Sequence, residues 1–284
     1  FVHKCINWCI NKKMPIVIDL HILRSHHFNA VNNEGKMTLW NDHEEQTKFF
    51  SLWVQLSSLF AHYPNEFLAY ELMNEPVAPE HDDWNLLINH AITVIRTLEP
   101  ERTIVMGSNM WQFPYTFPFL KVPEKDKNII LATHFYDPIL VTHYKAYWMS
   151  IKNYSGKISY PGISISEEDR KKSSNLNDKN EQDYIDLHNG YFDKNVLAEK
   201  LKPAIDKAKE TGLRLYCSEF GCLPNCGKEI QFRYYKDLIN VFKENNISYC
   251  HWDYKGDFGI MGWDREKHIN TGILKEKSDI IVNG

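Results

Sequence analysis

The stretch Leu72-Met73-Asn74-Glu75-Pro76-Val77 decides how the rest of the chain is interpreted. It closes a short apolar run, residues 67–73, which is typical of a buried strand. Pro76 cannot continue that strand, because proline has no backbone N–H to donate. The stretch therefore predicts a strand that ends by presenting an amide and a carboxyl side chain, those of Asn74 and Glu75.

A second carboxyl stands in the same position at the end of another apolar run. Residues 213–219 end at Glu219, and Gly221 follows shortly after. Taken alone, either motif is more often a turn or a helix start than a reactive site. Together and in this order they indicate two carboxyl groups at strand ends, which is the pair that hydrolysis of a glycosidic bond usually requires.

Composition limits the class of protein. The chain has 284 residues, 43% of them hydrophobic and 25% charged, which is ordinary for a globular protein with a sizeable core. The net charge is -4 and the pI about 6.4, so nucleic acid is not an expected partner. No apolar run approaches the roughly 20 residues of a membrane span. Aromatic residues make up 13%, which suits a sugar-binding surface, although most of them are expected to fill the core.

Apolar runs and amphipathic stretches alternate along the chain. Strands are predicted over residues 14–20, 67–73, 102–106, 128–133, 213–219 and 247–252, and helices over residues 2–11, 42–62, 82–98, 193–211 and 229–245. This alternation predicts a parallel sheet with crossover helices, and the polar residues of interest follow its strands. Such strand ends form the active face of a (β/α)8 barrel.

Three regional expectations accompany this pattern. Residues 138–190 are predicted to form one long irregular loop after the sixth barrel strand. In the helix over residues 82–98, Leu86 is predicted to face the core together with Leu87, Ala91, Ile92 and Ile95. The segment after the last strand is expected to return over the surface.

Five separated motifs carry a resemblance to a known family. They are Asp19-Leu20-His21 after Val17-Ile18, Asn74-Glu75-Pro76, His134-Phe135-Tyr136, Glu219-Phe220-Gly221 and Trp252. In this order the chain resembles glycoside hydrolase family 5, which contains many endo-β-1,4-glucanases and β-mannanases. The resemblance runs along almost the whole chain.

The resemblance implies an α/β fold of the (β/α)8 TIM-barrel type. Six of the eight strand–helix units are expected, and residues 1–284 are expected to form a single catalytic barrel domain that is truncated at its N-terminus. Two family strands, one bearing an Arg that hydrogen-bonds the nucleophile, have no counterpart before His21. Open barrel edges predict self-association.

The resemblance also assigns residue roles. Glu219 is expected to be the nucleophile, with a raised pKa because the Arg is missing, and Glu75 the general acid/base. Two such carboxyls should lie roughly 5–5.5 Å apart, and the pKa of Glu75 should be raised by burial and by the charge of Glu219. The further substrate-binding residues are expected to be His21, Asn74, His134, Tyr136, Trp252 and Trp111. Within that set Tyr136 positions Glu219, Asn74 binds a sugar 2-hydroxyl, and Trp252 forms a stacking floor.

The expected partner is a β-linked polysaccharide or oligosaccharide, with β-1,4-glucan favoured. A β-mannanase or other β-glycanase and, without catalysis, a carbohydrate-binding relic stay open as alternatives. No metal and no cofactor is expected, although His21 and His134 could instead bind zinc. His26 and His27 are expected to be solvated or to face substrate. The protein is expected to be secreted or cell-surface, with its export signal outside this chain.

Overall fold

Alternating helices and strands form most of the chain. A computed structural model describes residues 1–28, 35–172, 179–264 and 269–283. The elements are α1 (Val2–Asn11), β1 (Ile16–Asp19), α2 (His43–Phe60), β2 (Leu68–Glu71), α3 (His81–Leu98), β3 (Thr103–Gly107), β4 (Ile129–Phe135), α4 (Ile139–Thr142), β5 (Gly162–Ile163), α5 (Glu167–Lys172), α6 (Lys179–His188), β6 (Tyr191–Phe192), α7 (Lys194–Thr211), β7 (Arg214–Phe220), α8 (Lys228–Glu244), β8 (Ser248–His251), β9 (Met261–Asp264), β10 (Ile269–Ile273) and α9 (Lys275–Asn283). The predicted strands and helices are all present, with ends shifted by a few residues.

The main sheet has six strands in the order β1-β2-β3-β4-β7-β8. The pairs β1–β2, β2–β3 and β3–β4 are parallel, with Ile16 opposite Leu68 and Ile104 opposite Ile129. The parallel pairing is expected where helices cross over between strands. Because parallel strands present their carboxyl ends at one edge, β1 and β2 place His21 and the Asn-Glu-Pro stretch at the same edge of the first unit.

The connection between β3 and β4 contains a short helical element that the sequence did not predict. Between these strands the chain forms a 3₁₀ helix, Pro114–Phe119. Pro118 lies inside it and Pro114 begins it. Proline removes a backbone donor and clashes with the preceding turn, so a regular α-helix is excluded here.

The molecule divides into two compact units. The first comprises residues 1–133 and 203–216, and the second comprises residues 134–202 and 217–284. In the first unit, α2 buries Phe49, Trp53 and Phe60 on one face. A buried ion pair lies at the N-terminal end of β2, where Arg102 donates to the Glu99 carboxylate and also to the carbonyl of Leu68.

The inward face of α3 differs from the prediction at one position. Leu86 is 73% exposed, whereas Ile88 is buried. The buried stripe of α3 is Trp84, Leu87, Ile88, Ala91, Ile92 and Ile95. These residues recur at three- and four-residue intervals, and Leu86 falls outside that face.

Regular elements occupy much of the segment predicted to be an irregular loop over residues 138–190. They are α4, β5, α5 and α6, with β5 pairing antiparallel to β6. Residues 173–178 of the polar run lie outside the described residues. The hydrogen bond from Tyr160 to Asp237 of α8 anchors this segment in the second unit.

The C-terminal segment is more than a surface return. β9 and β10 form an antiparallel hairpin, and α9 buries Lys277. The ammonium group of Lys277 donates to the carbonyls of Phe258 and Gly259, and burial lowers its pKa to about 8. Among the described residues, no helix is long and apolar enough to cross a membrane.

Candidate active site

The Asn-Glu-Pro stretch leaves the sheet immediately after β2. The indole N–H of Trp53 donates to the carbonyl of Leu72, and the backbone N–H of Asn74 donates to the carbonyl of Leu20. Glu75 then adopts a left-handed backbone with φ of 44°. Non-glycine residues adopt this conformation only when their surroundings impose it, which marks Glu75 as a constrained position.

Glu75 is a carboxyl that the structure keeps away from water. Its pKa is raised to about 8, chiefly by burial; the charge of His21 opposes this rise and the charge of Asp19 adds to it. The predicted effect of burial on the pKa is therefore confirmed. The contribution expected from the charge of Glu219 stays a prediction.

His21 lies beyond the carboxyl end of β1 and is paired with the last residue of that strand. Its Nδ1 is 2.8 Å from the Asp19 carboxylate. Burial opposes protonation of His21, but the hydrogen bond and charge of Asp19, with the charges of Glu75 and Glu71, raise its pKa overall. The imidazole is one-third exposed, so it is accessible to a ligand.

His26 is a site residue whose role the sequence did not indicate. It is buried rather than solvated, and its Nε2 donates to the carbonyl of Glu75 at 3.3 Å. Burial lowers its pKa to about 4, so the ring is neutral near pH 7. No local pattern signals this contact, because it joins residues 49 positions apart.

Asn74 presents a buried amide. Its side-chain nitrogen Nδ2 has no hydrogen-bond partner within the described residues. A buried N–H donor without a partner is costly, and a ligand oxygen would satisfy it. This observation fits a donor that serves a sugar hydroxyl.

Trp111 follows β3 and lies close to the Asn-Glu-Pro stretch. Its backbone N–H donates to the carbonyl of Pro76, and its indole N–H donates to the carbonyl of Phe28. The indole is therefore held in one orientation while part of its surface stays accessible. Its ring lies 6.0 Å from that of Phe113.

Glu219 lies at the penultimate position of β7 in the second unit. The hydroxyl of Tyr136 donates to its carboxylate at 3.0 Å, and Nδ1 of His134 lies 3.5 Å from the same oxygen. Tyr136 and His134 come from the end of β4. A hydroxyl donor stabilises the negative charge of a carboxylate, and the Tyr136 hydroxyl is placed to do so. The raised pKa expected for Glu219 stays a prediction.

Supporting contacts fix the ring of Tyr136. Its carbonyl accepts a hydrogen bond from the Thr142 hydroxyl at 2.6 Å, and its ring packs against His143 and Phe258. Burial lowers the pKa of His143 to about 3, so that ring is neutral. Tyr136 is thereby held by an apolar cluster on one side and by Glu219 at its hydroxyl.

Trp252 follows β8, and its backbone N–H donates to the carbonyl of Phe220. Its ring packs against the cluster of Tyr136, Leu223 and Phe258. Gly221 explains the Glu-Phe-Gly motif, because a Cβ there would lie 2.6 Å from the carbonyl oxygen of Trp252. Only glycine permits this close approach of two backbone segments.

The structure thus places every predicted site residue beyond or at the carboxyl end of a strand. In the first unit these residues are His21, Asn74, Glu75 and Trp111, and in the second unit His134, Tyr136, Glu219 and Trp252. A carboxyl residue at the end of one strand in each unit, accompanied by aromatic rings, is typical of the barrel glycosidases.

Comparison with known proteins makes the class specific. The model of the cellulase family, glycosyl hydrolase family 5, matches residues 1–258. Endoglucanase C of Acetivibrio thermocellus is 30% identical over 268 residues, which cover 94% of this chain and 76% of that protein. Cellodextrinase A of Ruminococcus flavefaciens is 26% identical over 248 residues, which cover 87% of this chain and 65% of that protein.

Solved structures agree on the fold. The crystal structure of an endoglucanase from Thermotoga maritima superposes with a TM-score of 0.73 over 99% of this chain and 76% of that one, at 23% identity. The barrel fold expected from the motifs is therefore confirmed, with six strands in the described sheet. The chain belongs to glycosyl hydrolase family 5, the cellulase family, and is a glycoside hydrolase.

Proposed function

We propose that this enzyme cleaves β-1,4-linked glucan within the chain and retains the anomeric configuration, with Glu219 as nucleophile and Glu75 as general acid/base. The contrast between the two carboxyls carries the proposal. Glu75 is buried and has a pKa of about 8, whereas Glu219 accepts a hydrogen bond from Tyr136. A proton donor and a nucleophile need opposite charge states at the same pH.

The first step joins the sugar to the enzyme. An oxygen of Glu219 bonds to the anomeric carbon while the bond to the leaving oxygen breaks, and Glu75 gives its proton to that oxygen. Glu219 becomes an ester and Glu75 becomes a carboxylate. Tyr136 stabilises the charged nucleophile before the attack and keeps its oxygen in a fixed direction.

The second step releases the sugar. Glu75, now ionised, takes a proton from water as the water oxygen attacks the anomeric carbon, and the ester bond to Glu219 breaks. Both carboxyls return to their starting states. The raised pKa of Glu75 favours this return of its proton at neutral pH.

The remaining motif residues are proposed to bind the sugar. Asn74 would donate its buried side-chain N–H to the 2-hydroxyl, and His21, accessible and oriented by Asp19, would contact a neighbouring hydroxyl, as would His134. Trp252 would cover the apolar face of a pyranose ring, and Trp111 would do so for a further sugar.

Relatives support a β-glucan substrate, since the matched proteins include an endoglucanase and a cellodextrinase. A β-mannanase remains the alternative within the same chemistry, because the same carboxyl pair serves a sugar with an axial 2-hydroxyl. A carbohydrate-binding relic is the alternative without catalysis. The presence of both carboxyls in distinct environments favours the enzyme.

Product analysis tests the proposal. Soluble β-1,4-glucan, β-mannan and mixed-linkage glucan should be compared for loss of viscosity, release of reducing ends and the anomer formed first, the last by NMR. We expect viscosity of the β-1,4-glucan to fall faster than reducing ends appear, with a β-anomer as first product. An α-anomer would contradict retention, and faster cleavage of mannan would reassign the substrate.

Glu219→Gln should abolish all turnover. The control variant Glu229→Gln, at an exposed position in α8, should leave turnover unchanged.

We also propose that the enzyme acts outside the cell, because a polymeric substrate cannot enter. Activity in the culture fluid or on the cell surface of the source organism would support this, and activity confined to the cytosol would contradict it.

Self-association through the edges of β1 and β8, the outer strands of the described sheet, stays a prediction. The molar mass in solution measures it.

A further inference from the structure

The loop after β3 folds back onto the Asn-Glu-Pro stretch. Met110, Trp111 and Gln112 all have left-handed backbones, with φ of 56°, 58° and 56°. Each such non-glycine residue costs about 1–2 kcal/mol relative to an ordinary conformation. Strain in three consecutive residues indicates that the surrounding contacts impose the path of this loop.

Gln112 is the residue that this path places against Glu75. Its side-chain Oε1 accepts from the backbone N–H of Glu75 at 3.0 Å, and its Nε2 donates to the carboxylate of Glu71 at 2.9 Å. The amide is fully buried. Its orientation is determined by chemistry, since a backbone N–H can only donate and a carboxylate can only accept.

Two further features hold Gln112 in place. The hydroxyl of Thr133 donates to its backbone carbonyl at 2.8 Å. Gly107 leaves the space for its side chain, because a Cβ at that position would lie 2.2 Å from Nε2. Backbone and side chain of Gln112 are therefore both fixed.

Other residues of the same loop bond to residues that follow Glu75 in the sequence. Asn109 exchanges two hydrogen bonds with the backbone of Ala78, and the backbone N–H of Trp111 donates to the carbonyl of Pro76. Gln112 is the member of this loop that bonds to Glu75 itself. On the other side of the same residue, His26 donates to the Glu75 carbonyl.

We infer that Gln112 is a positioning residue for proton donation, because its amide ties the backbone of Glu75 to the buried carboxylate of Glu71 and so directs the Glu75 carboxyl at the leaving oxygen. The inference rests on the proposed role of Glu75. Gln112 has no role in forming the bond from Glu219, so its effect depends on how much a substrate needs the proton. A positioned acid contributes about 10²–10⁴-fold, and small displacements remove much of it.

The test compares a substrate whose leaving group needs a proton with one whose leaving group does not. Gln112→Met keeps the volume but removes both hydrogen bonds. We expect kcat/KM for cellotetraose to fall about 10–100-fold, as loss of a positioned proton donor implies. For dinitrophenyl cellobioside, whose leaving group needs no proton, kcat/KM should change by no more than about 3-fold. KM for cellotetraose should stay the same, because Gln112 contacts no sugar in the proposed site. For dinitrophenyl cellobioside kcat and KM should fall together, because Glu75 is also the proposed base of the second step.

A control in the same loop separates positioning from general damage. Thr116→Val removes the buried hydroxyl that bonds to the backbone of Asn109 and Phe113, without touching Glu75. It should leave the ratio of the two kcat/KM values unchanged. Equal losses on both substrates in Gln112→Met, or the same change of ratio in Thr116→Val, would overturn the inference.

A second variant carries the test if Gln112→Met does not fold. Gln112→Glu restores the acceptor for the Glu75 N–H but sets a carboxyl against Glu71, where two carboxylates cannot both ionise cheaply. We expect kcat/KM on cellotetraose to fall as this carboxyl pair loses the proton that it shares, because the link from Glu75 to Glu71 then breaks, and the profile on the dinitrophenyl substrate to change less. Identical shifts on both substrates would contradict the inference. Absence of hydrolysis in the unmodified enzyme would instead refute the proposed function and the inference with it.

Discussion

Glu75 and Glu219 are the same type of side chain in opposite surroundings. Glu75 is held through its backbone by Gln112 and His26, and burial raises its pKa to about 8. Glu219 is held through its carboxylate, which accepts from Tyr136. In the proposed mechanism, the place where each residue is supported, the backbone for Glu75 and the carboxylate for Glu219, is what distinguishes the proton donor from the nucleophile.

Removing each carboxyl in turn should have the largest effect on turnover and should test whether the two carboxyls differ in role. Glu75→Ala should lower turnover of cellotetraose about 10²–10⁴-fold, because proton donation is lost. Turnover of dinitrophenyl cellobioside should then be limited by the second step and rise when azide is added, with a glycosyl azide as product. Glu219→Gln should hydrolyse neither substrate, with or without azide. A β-glycosyl azide formed by the Glu219 variant, with no azide rescue of Glu75→Ala, would reverse the two roles.

Removing the support of Glu219 should have the next largest effect. Tyr136→Phe deletes the hydroxyl that donates to the Glu219 carboxylate and keeps the ring in its apolar cluster. Loss of a hydrogen bond to a charged group costs about 1.5–3 kcal/mol, so kcat/KM should fall about 10–100-fold. Both kinds of substrate should be affected alike, in contrast to Gln112→Met. An unaltered kcat/KM would show that this hydroxyl does not serve the nucleophile.

The raised pKa of Glu75 predicts a pH dependence of stability. Glu75 binds its proton up to about pH 8 when folded and up to about pH 4.5 when unfolded. Between these values the folded state binds more protons, so its contribution to the free energy of unfolding falls as pH rises. The side chain in Glu75→Gln is neutral at every pH. The free energy of unfolding of this variant, measured by urea titration, should therefore fall less between about pH 5 and pH 8 than that of the unmodified enzyme. The difference is about 1.4 kcal/mol per unit of pKa shift. Parallel curves would show that Glu75 is not desolvated.

The activity profile sharpens the same point. The basic limb of kcat/KM should lie near pH 8, as the free enzyme loses the proton of Glu75. Two interacting carboxyls titrate as a pair, so the limb describes the pair. Full activity up to pH 10 would contradict Glu75 as donor.

The smallest expected effect is that of chelation. The proposed reaction needs two carboxyl groups and no metal, so prolonged dialysis against EDTA should leave kcat/KM unchanged. His21 is oriented by Asp19, and His134 contacts Glu219. A loss of activity that zinc restores would favour the metal-binding interpretation of these histidines.

The sequence by itself indicated the family, the strands and helices, and the two carboxyls that are proposed to react. Apolar runs that end in Glu75 and Glu219 are local signals, and periodicity follows from the residues of one element. Pro114 and Pro118 are local signals as well, because they exclude a regular α-helix between β3 and β4, where the chain forms a 3₁₀ helix.

Only the tertiary structure decided what surrounds each carboxyl. His26 and Gln112 meet Glu75 from 49 and 37 positions away, and Lys277 reaches Phe258 from a segment expected to lie on the surface. These contacts depend on which chain segments pack together, and no residue pattern near Glu75 encodes them. Burial, which sets the pKa of Glu75, is likewise a property of the packed fold, because desolvation comes from the neighbours and not from the carboxyl itself.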